Sequence, residues 1–326
     1  MDATHIPALV TQSAYPVMFQ AYEDIPGVRQ LMADVRPVDA ANMYGTKGTT
    51  IIGGSDLDER LDNEGFGQDR LEEGYTWQIK VRSYGKELPL DRRMVEAASS
   101  TEIENLITEW ARSVGRNAAY QREQYVASQL QLATIAAGDT IFDGSFPGNA
   151  DPNPLFIYDG QPGFSAAHPI AVGTGTFANF GVGRALTSAN LTAAKVEMQQ
   201  TSAVDDRGKR IMNMAQTIIV PPSMEATARV LLNSQLLPGS ANNDINIHAG
   251  TLGLVVNPFL TDASSAASWW LKGTSPGLRF YEQNGGPAFR TYENEKQNQI
   301  VVQLLDYWGG GFVDWRGLQC NNKATT

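Results

Sequence analysis

The chain has 326 residues, of which 42% are hydrophobic and 18% charged, and it carries a net charge of −10. That composition excludes disorder of the whole chain. The acidic balance excludes nucleic-acid binding driven by global charge, which requires clustered lysine and arginine, but it allows a protein that only encloses DNA.

A single cysteine, Cys320, rules out an intramolecular disulfide and fits a reducing compartment. The amino terminus has neither the basic start nor the apolar run of a signal peptide. No apolar run approaches membrane-spanning length, so the chain is expected to be soluble, with no membrane partner. Residues 1–41 hold Pro7, Pro16, Pro26 and Pro37 and show weak periodicity. They read as a loosely held arm with a short helix near Ala14–Tyr22.

Residues 42–92 change character. Gly45, Gly48, Gly53, Gly54, Gly65 and Gly67 break any helix. Asp56, Asp58, Glu59, Asp62, Glu64, Asp69, Glu72 and Glu73 crowd a span whose cations are Arg60 and Arg70. Tyr75–Arg82 alternates like a half-exposed strand, and Tyr84–Glu87 can turn it back towards Leu88 and Leu90. The pattern predicts a long projecting hairpin, too poor in apolar residues to form its own core.

Residues 99–137 predict one helix about 55 Å long at 1.5 Å per residue. Two capping boxes open it, Ser99 with Glu102 and Thr101 with Glu104. Ile103, Leu106, Ile107, Trp110, Val114 and Ala118 form an apolar stripe that resumes at Val126, Leu130 and Ala133. Gly115 predicts a bend. Beyond it, Leu155–Tyr158 reads as a strand and Phe164–Pro169 as a turn. Thr187–Gln200 predicts a second helix, capped by Thr187 or Ser188. Val204–Lys209 reads as an exposed loop, Thr217–Val220 as a buried strand ended by Pro221-Pro222, and Met224, Ala228, Leu231 and Leu232 as a third helix face. From Ile245 the strand candidates are 245–248, 252–256, 269–271, 278–282, 300–308 and 313–318, with Gly309–Gly311 splitting the last two. Helices and strands do not alternate strictly, so the class is α+β.

Chemistry-bearing motifs are lacking. His5, His168, His248 and Cys320 are not at metal-ligand spacing. Ser165 resembles a nucleophile elbow without its last glycine, and Gly181-Val182-Gly183 lacks the third glycine of a dinucleotide fingerprint. Gly45–Thr50 is not a phosphate loop, and Asp56–Arg60 is not a calcium loop. The expectation is a protein with no cofactor, no metal and no catalytic residues. A hydrolase using Ser165 and His168 stands as the alternative.

Ala185–Ser234 resembles the Mu-like major head subunit family of tailed-phage major capsid proteins. The residues that carry the likeness are Met198-Gln199-Gln200, Asp205–Lys209, and Ile218-Ile219-Val220-Pro221-Pro222-Ser223-Met224-Glu225-Ala226-Thr227-Ala228-Arg229 with Leu231-Leu232-Asn233 behind it. Phe164–Pro169 is similar to a second family segment. The resemblance implies the tailed-phage capsid fold. Its parts here would be an arm at 1–41, an extended loop at 42–92, a peripheral domain at 93–180 with its spine helix at 99–137, an axial domain at 181–290, and strands returning to the peripheral domain at 291–326. It implies a structural virion protein, assembled in the host cytoplasm, whose hexamers and pentamers form an icosahedral shell enclosing double-stranded DNA. A portal is implied, and with the chain starting at Met1 a separate scaffold protein is expected. An encapsulin-like protein compartment is a variant of the same reading. Lys47 or Lys86 could form an isopeptide cross-link. Finally, Asp56, Asp58, Glu59, Asp62 and Glu64 of one subunit are expected to dock on Arg112 and Arg116 of the next.

Overall fold

The computed structural model describes residues 6–39, 41–52, 54, 59, 66, 68, 71–132, 159–236, 245–260 and 267–321. The expected strand at Leu155–Tyr158 and the helix residues past Leu132 lie outside them. In chain order the elements begin with helices α1 (Ile6–Leu9), α2 (Tyr15–Glu23) and α3 (Arg29–Met32). Strands β1 (Asp34–Val38), β2 (Thr46–Ile52), β3 (Glu72–Ile79) and β4 (Arg82–Asp91) follow. Then come α4 (Arg92–Ala97) and the long α5 (Ser100–Leu132). Short strands β5 (His168–Pro169), β6 (Thr176–Phe177) and β7 (Phe180–Gly181) precede α6 (Ser188–Val196), β8 (Ala215–Val220), α7 (Glu225–Asn233) and β9 (Gly253–Val256). The chain closes with β10 (Trp269–Gly273), β11 (Leu278–Gln283), β12 (Ala288–Asn294), β13 (Gln299–Phe312) and β14 (Leu318–Asn321). These elements make up two compact units.

The first unit takes in the chain up to Gly45, Lys80–Gln129 and Arg279–Gly310. Helix α5 is its backbone. The Ser99 box forms: Ser99 N and Oγ both donate to Glu102 Oε2 at 2.9 Å, and Glu102 N donates to Ser99 Oγ at 3.3 Å. The Thr101 box does not, because Glu104 accepts from Ser13 Oγ at 2.9 Å instead. The buried stripe is Ile103, Ile107 and Ala111, with Leu106 outside it at 38% exposure. Against it pack Ile6, Val10, Ala14 and Met18, together with Leu90, Val95, Ile300, Val302 and Leu304. The amino-terminal segment is therefore core, not a loose arm. Its four-residue apolar spacing is a helical stripe that the prolines conceal. A π-turn at Val10–Ala14 leads into α2, and Pro16 sits in the first turn of α2.

Helix α5 runs on through Gly115. A Cβ there would lie 2.4 Å from the Met18 carbonyl oxygen, so the glycine serves a close crossing of backbones. Strand β4 pairs antiparallel with β13 from Gln299↔Asp91 to Trp308↔Arg82. The turn expected at Tyr84–Glu87 is thus absent. Tyr84 instead stacks on Trp308 at 3.9 Å. Gly309–Gly311 likewise stays within β13, where a Cβ on Gly309 would meet the Lys80 carbonyl at 2.2 Å. Strands β1 and β12, unforeseen in the sequence, complete the sheet; β1 lies parallel to β11.

A buried ionic cluster ties this unit together. Arg29 Nη1 meets Glu123 Oε1 at 2.6 Å, and Arg29 Nε donates to Glu282 Oε2 at 3.0 Å. Arg122 holds Asp306 through a two-pronged contact, reaches Glu282 at 3.0 Å and donates to the Tyr22 hydroxyl. Burial pushes the Glu123 carboxyl up from its ordinary value, against the pull of Arg29.

The second unit comprises Thr46–Ile79, Leu130–Leu278 and the chain from Gly311. Its main sheet has the order β7-β14-β10-β8-β9, with β8 and β9 parallel and α7 in the crossover between them. Leu191, Ala194 and Met198 from the α6 segment, and Ala228, Leu231 and Leu232 from α7, pack on Ile218, Val220, Trp269 and Leu271 of the sheet. Thr187 caps α6, its side chain accepting from Asn190 N at 3.3 Å. In place of the expected strand at 245–248, Ile245 makes only an isolated bridge with Leu236 and a turn follows at 247–250, because Asn246 Nδ2 caps the end of α7 at Leu231 O (2.7 Å) and Ser234 O (2.8 Å). Residues 313–317 are likewise a turn, held by Val313 N on Gly277 O at 2.9 Å, and the strand starts at Leu318. In the same unit β2 and β3 pair antiparallel as the stem of the hairpin.

Candidate functional site

The expected contact surface has two halves. On the hairpin, Asp56, Asp58, Asp62 and Glu64 lie outside the described residues, and Glu59 is exposed. The stem buries Ile52 and Ile79 but leaves Ile51 and Leu71 each 71% exposed. On α5, Arg112 and Arg116 are both exposed. They are not equivalent: Arg112 is paired with Glu109 one turn back, while Arg116 has no ion-pair partner among the described residues.

Beside these arginines runs a groove of about 560 Å³ between α5 and strands β4 and β13. Ser113, Asn117, Gln121 and Gln124 line its helix side, with Tyr84 and Lys86 opposite. Burial pushes the Tyr84 hydroxyl up to about 12, so Tyr84 presents a neutral phenol there. The sequence reading passed over the three amides, although their helical spacing was there to be seen.

Ser165 and His168 do not form a catalytic pair. Ser165 Oγ accepts from Ala167 N at 3.2 Å. His168 is fully buried, with Nδ1 2.7 Å from Asp159 Oδ2 and Nε2 3.0 Å from Asn179 Oδ1. Asn179 is the hub: its Nδ2 donates to Gly163 O at 2.8 Å and Trp315 O at 2.9 Å, and its Oδ1 also accepts from Ser165 N at 2.9 Å. The His168 ring stacks on Trp315 at 5.0 Å, nearly parallel. This is a polar core knot in which every named atom is already engaged.

The segment Asp205–Lys209 is similarly tied. Asp205 Oδ1 accepts from Arg207 N at 2.9 Å and Lys209 N at 2.8 Å, closing a turn in which Gly208 has φ +80°. Arg316 Nη2 grips Asp206 at 2.7 Å. Among the described residues, no group of histidine, cysteine and carboxylate side chains could hold a metal ion, and no helix is long and apolar enough to cross a membrane.

Comparison with known proteins adds three findings. A family model described as phage capsid protein matches residues 75–321. Among solved structures, one from Mycobacterium phage Patience is similar over 100% of this chain and 89% of its own, at 9% identity and a TM-score of 0.51. The capsid of Myoviridae phage XM1 is similar over 92% and 93% of the two chains, at 10% identity and a TM-score of 0.47. Among curated proteins nothing matches.

Proposed function

The chain belongs to the phage capsid protein family, and from that premise we propose how it builds a shell. It is a structural protein of the virion that self-associates, with the α+β fold of tailed-phage capsids. In our reading it is a Mu-like major head subunit without enzymatic activity. Its copies form hexamers and pentamers in an icosahedral shell, with a separate scaffold and a portal, in the host cytoplasm. The net charge of −10 supports a wall that surrounds double-stranded DNA without gripping it. We assign the α5 unit, with its packed amino-terminal segment, to the peripheral domain, the β2–β3 hairpin to the extended loop, and the β7-β14-β10-β8-β9 sheet with its helices to the axial domain. The family match across residues 75–321 is the observation that carries the shell reading.

Neighbours would hold one another through the acidic hairpin of one subunit and the Arg112–Arg116 face of the next. What supports this is the exposed Arg116, without an ion-pair partner among the described residues, set against the carboxylate excess of residues 56–73. Each exposed ion pair contributes about 0–1 kcal/mol, but a closed shell repeats the contact many times. The test is Arg112→Glu with Arg116→Glu, followed by circular dichroism and by sedimentation across salt concentrations. The variant is expected to fold and to fail in assembly at low salt. Assembly indistinguishable from the parent would contradict the docking.

A further inference from the structure

We propose that His168 and Asp159 form a proton lock: in the folded chain the pair keeps one proton more than the same two side chains hold when unfolded at neutral pH, and the lock opens in alkali. The inference is independent of assembly and follows from the donors and acceptors of the Asn179 knot. Asn179 can be oriented in one way only. Its Nδ2 lies within reach of the carbonyl oxygens of Gly163 at 2.8 Å, Trp315 at 2.9 Å and Leu318 at 3.3 Å. Its Oδ1 accepts from Ser165 N at 2.9 Å. Turning the amide over would set its oxygen against those carbonyls and its NH2 against an N–H, so the partners fix the assignment. His168 Nε2, 3.0 Å from Asn179 Oδ1, therefore faces an acceptor and must carry a proton. On the other side of the ring, Nδ1 lies 2.7 Å from Asp159 Oδ2. A bare ring nitrogen and a bare carboxylate would repel each other there, so a second proton lies between them.

The surroundings place that proton on the ring, as an imidazolium against a carboxylate. Both side chains are fully buried, where a lone carboxylate is costly. The other hydrogen bond to Asp159 comes from a neutral donor, Gln161 N at 3.0 Å on Oδ1. Trp315 lies parallel to the imidazole at 5.0 Å, and an indole face favours a cation over it. The Arg316 guanidinium also lies over that indole, at 4.7 Å, and holds Asp206 at 2.7 Å and Asp314 at 3.2 Å. Burial first, then Asp159 and Asp206, push the Tyr75 hydroxyl of β3 above its ordinary value, so it stays a neutral phenol. Strand β6 sets the uncharged Phe177 opposite His168. In the unfolded chain above about pH 6.5 the histidine is neutral and the aspartate ionised. Folding then takes up one proton. This contribution to stability is complete below that pH and falls as the pH rises, by about tenfold in the folding equilibrium per pH unit, until the folded pair releases its proton.

The experiment is urea unfolding of the full chain, below the concentration at which it assembles, from about pH 7 to about pH 9. Asp159→Asn is the decisive variant. Its amide can donate to His168 Nδ1 and still accept from Gln161 N, so a neutral ring protonated at Nε2 satisfies every contact without the extra proton. The unfolding constant of the parent is expected to rise more steeply with pH than that of the variant, by about tenfold per pH unit. Parallel slopes would overturn the proposal. Should Asp159→Asn not fold by circular dichroism, the ring itself decides. In a chain carrying His5→Gln and His248→Asn, the remaining histidine is His168. Nitrogen-15 solid-state NMR at about pH 8, where a free histidine is neutral, is expected to show both ring nitrogens protonated. A single protonated nitrogen would overturn it.

Discussion

Asn179 shows how one side chain can organise a fold. It joins the Gly163–Ser165 turn, the His168 ring and the Trp315 carbonyl, with 3% of its surface exposed. Removing it orphans several buried groups, each at a cost of about 1–3 kcal/mol. Asn179→Ala is expected to lower the melting temperature sharply in calorimetry; an unchanged midpoint would show that the knot is dispensable. His248 sets a second residue-scale expectation. It is buried beside the start of α6, with Nε2 3.1 Å from Ser188 O, and burial lowers its pKa from the ordinary 6.5. The folded chain thus refuses a proton that the unfolded chain accepts. This stabilisation is complete above about pH 6.5 and is lost as the pH falls through the depressed folded value. Melting midpoints from about pH 7.5 to about pH 5 should therefore fall more steeply for the parent than for His248→Asn. Parallel slopes would refute the assignment.

At the scale of elements, α5 tests packing against propensity. Propensity alone says that Gly115→Ala adds about 1 kcal/mol of stability. The Met18 carbonyl, 2.4 Å from the would-be Cβ, says the opposite. Packing should win, with a loss of about 1–3 kcal/mol in denaturant titration; a gain would mean that α2 yields easily. The same contrast explains what could be read in the sequence. Helix α5, α6 with its Thr187 cap, α7, and strands β8, β10 and β11 were legible because their periodicity and caps are local. The continuity of β13 through Gly309–Gly311 was not, since the reason for Gly309 is a distant carbonyl at Lys80. Nor was the turn at 247–250, which follows an Asn246 that caps another helix. The amino-terminal helices were hidden by Pro7 and Pro16, whose cost the π-turn and the first turn of α2 absorb. For the candidate surface, the sequence supplied the residue types. It could not show that Arg112 is already paired with Glu109, or that Asn117, Gln121 and Gln124 line a groove.

A long helix carries an open groove and a cation, Arg116, with no ion-pair partner among the described residues, and a hairpin stem leaves Ile51 and Leu71 bare beside a carboxylate-rich stretch of sequence. Heterologous contacts of this kind, a projection on one copy meeting a recess on the next, close into rings when the rotation allows. The most direct measurement is a cryo-electron-microscopy reconstruction of the particles formed by the full chain, with scaffold supplied. The account predicts closed shells of hexamers and pentamers, with the β2–β3 hairpin of each subunit lying on the Arg112–Arg116 face of its neighbour. A strictly monomeric chain at high concentration, or shells in which that face carries no hairpin, would contradict it.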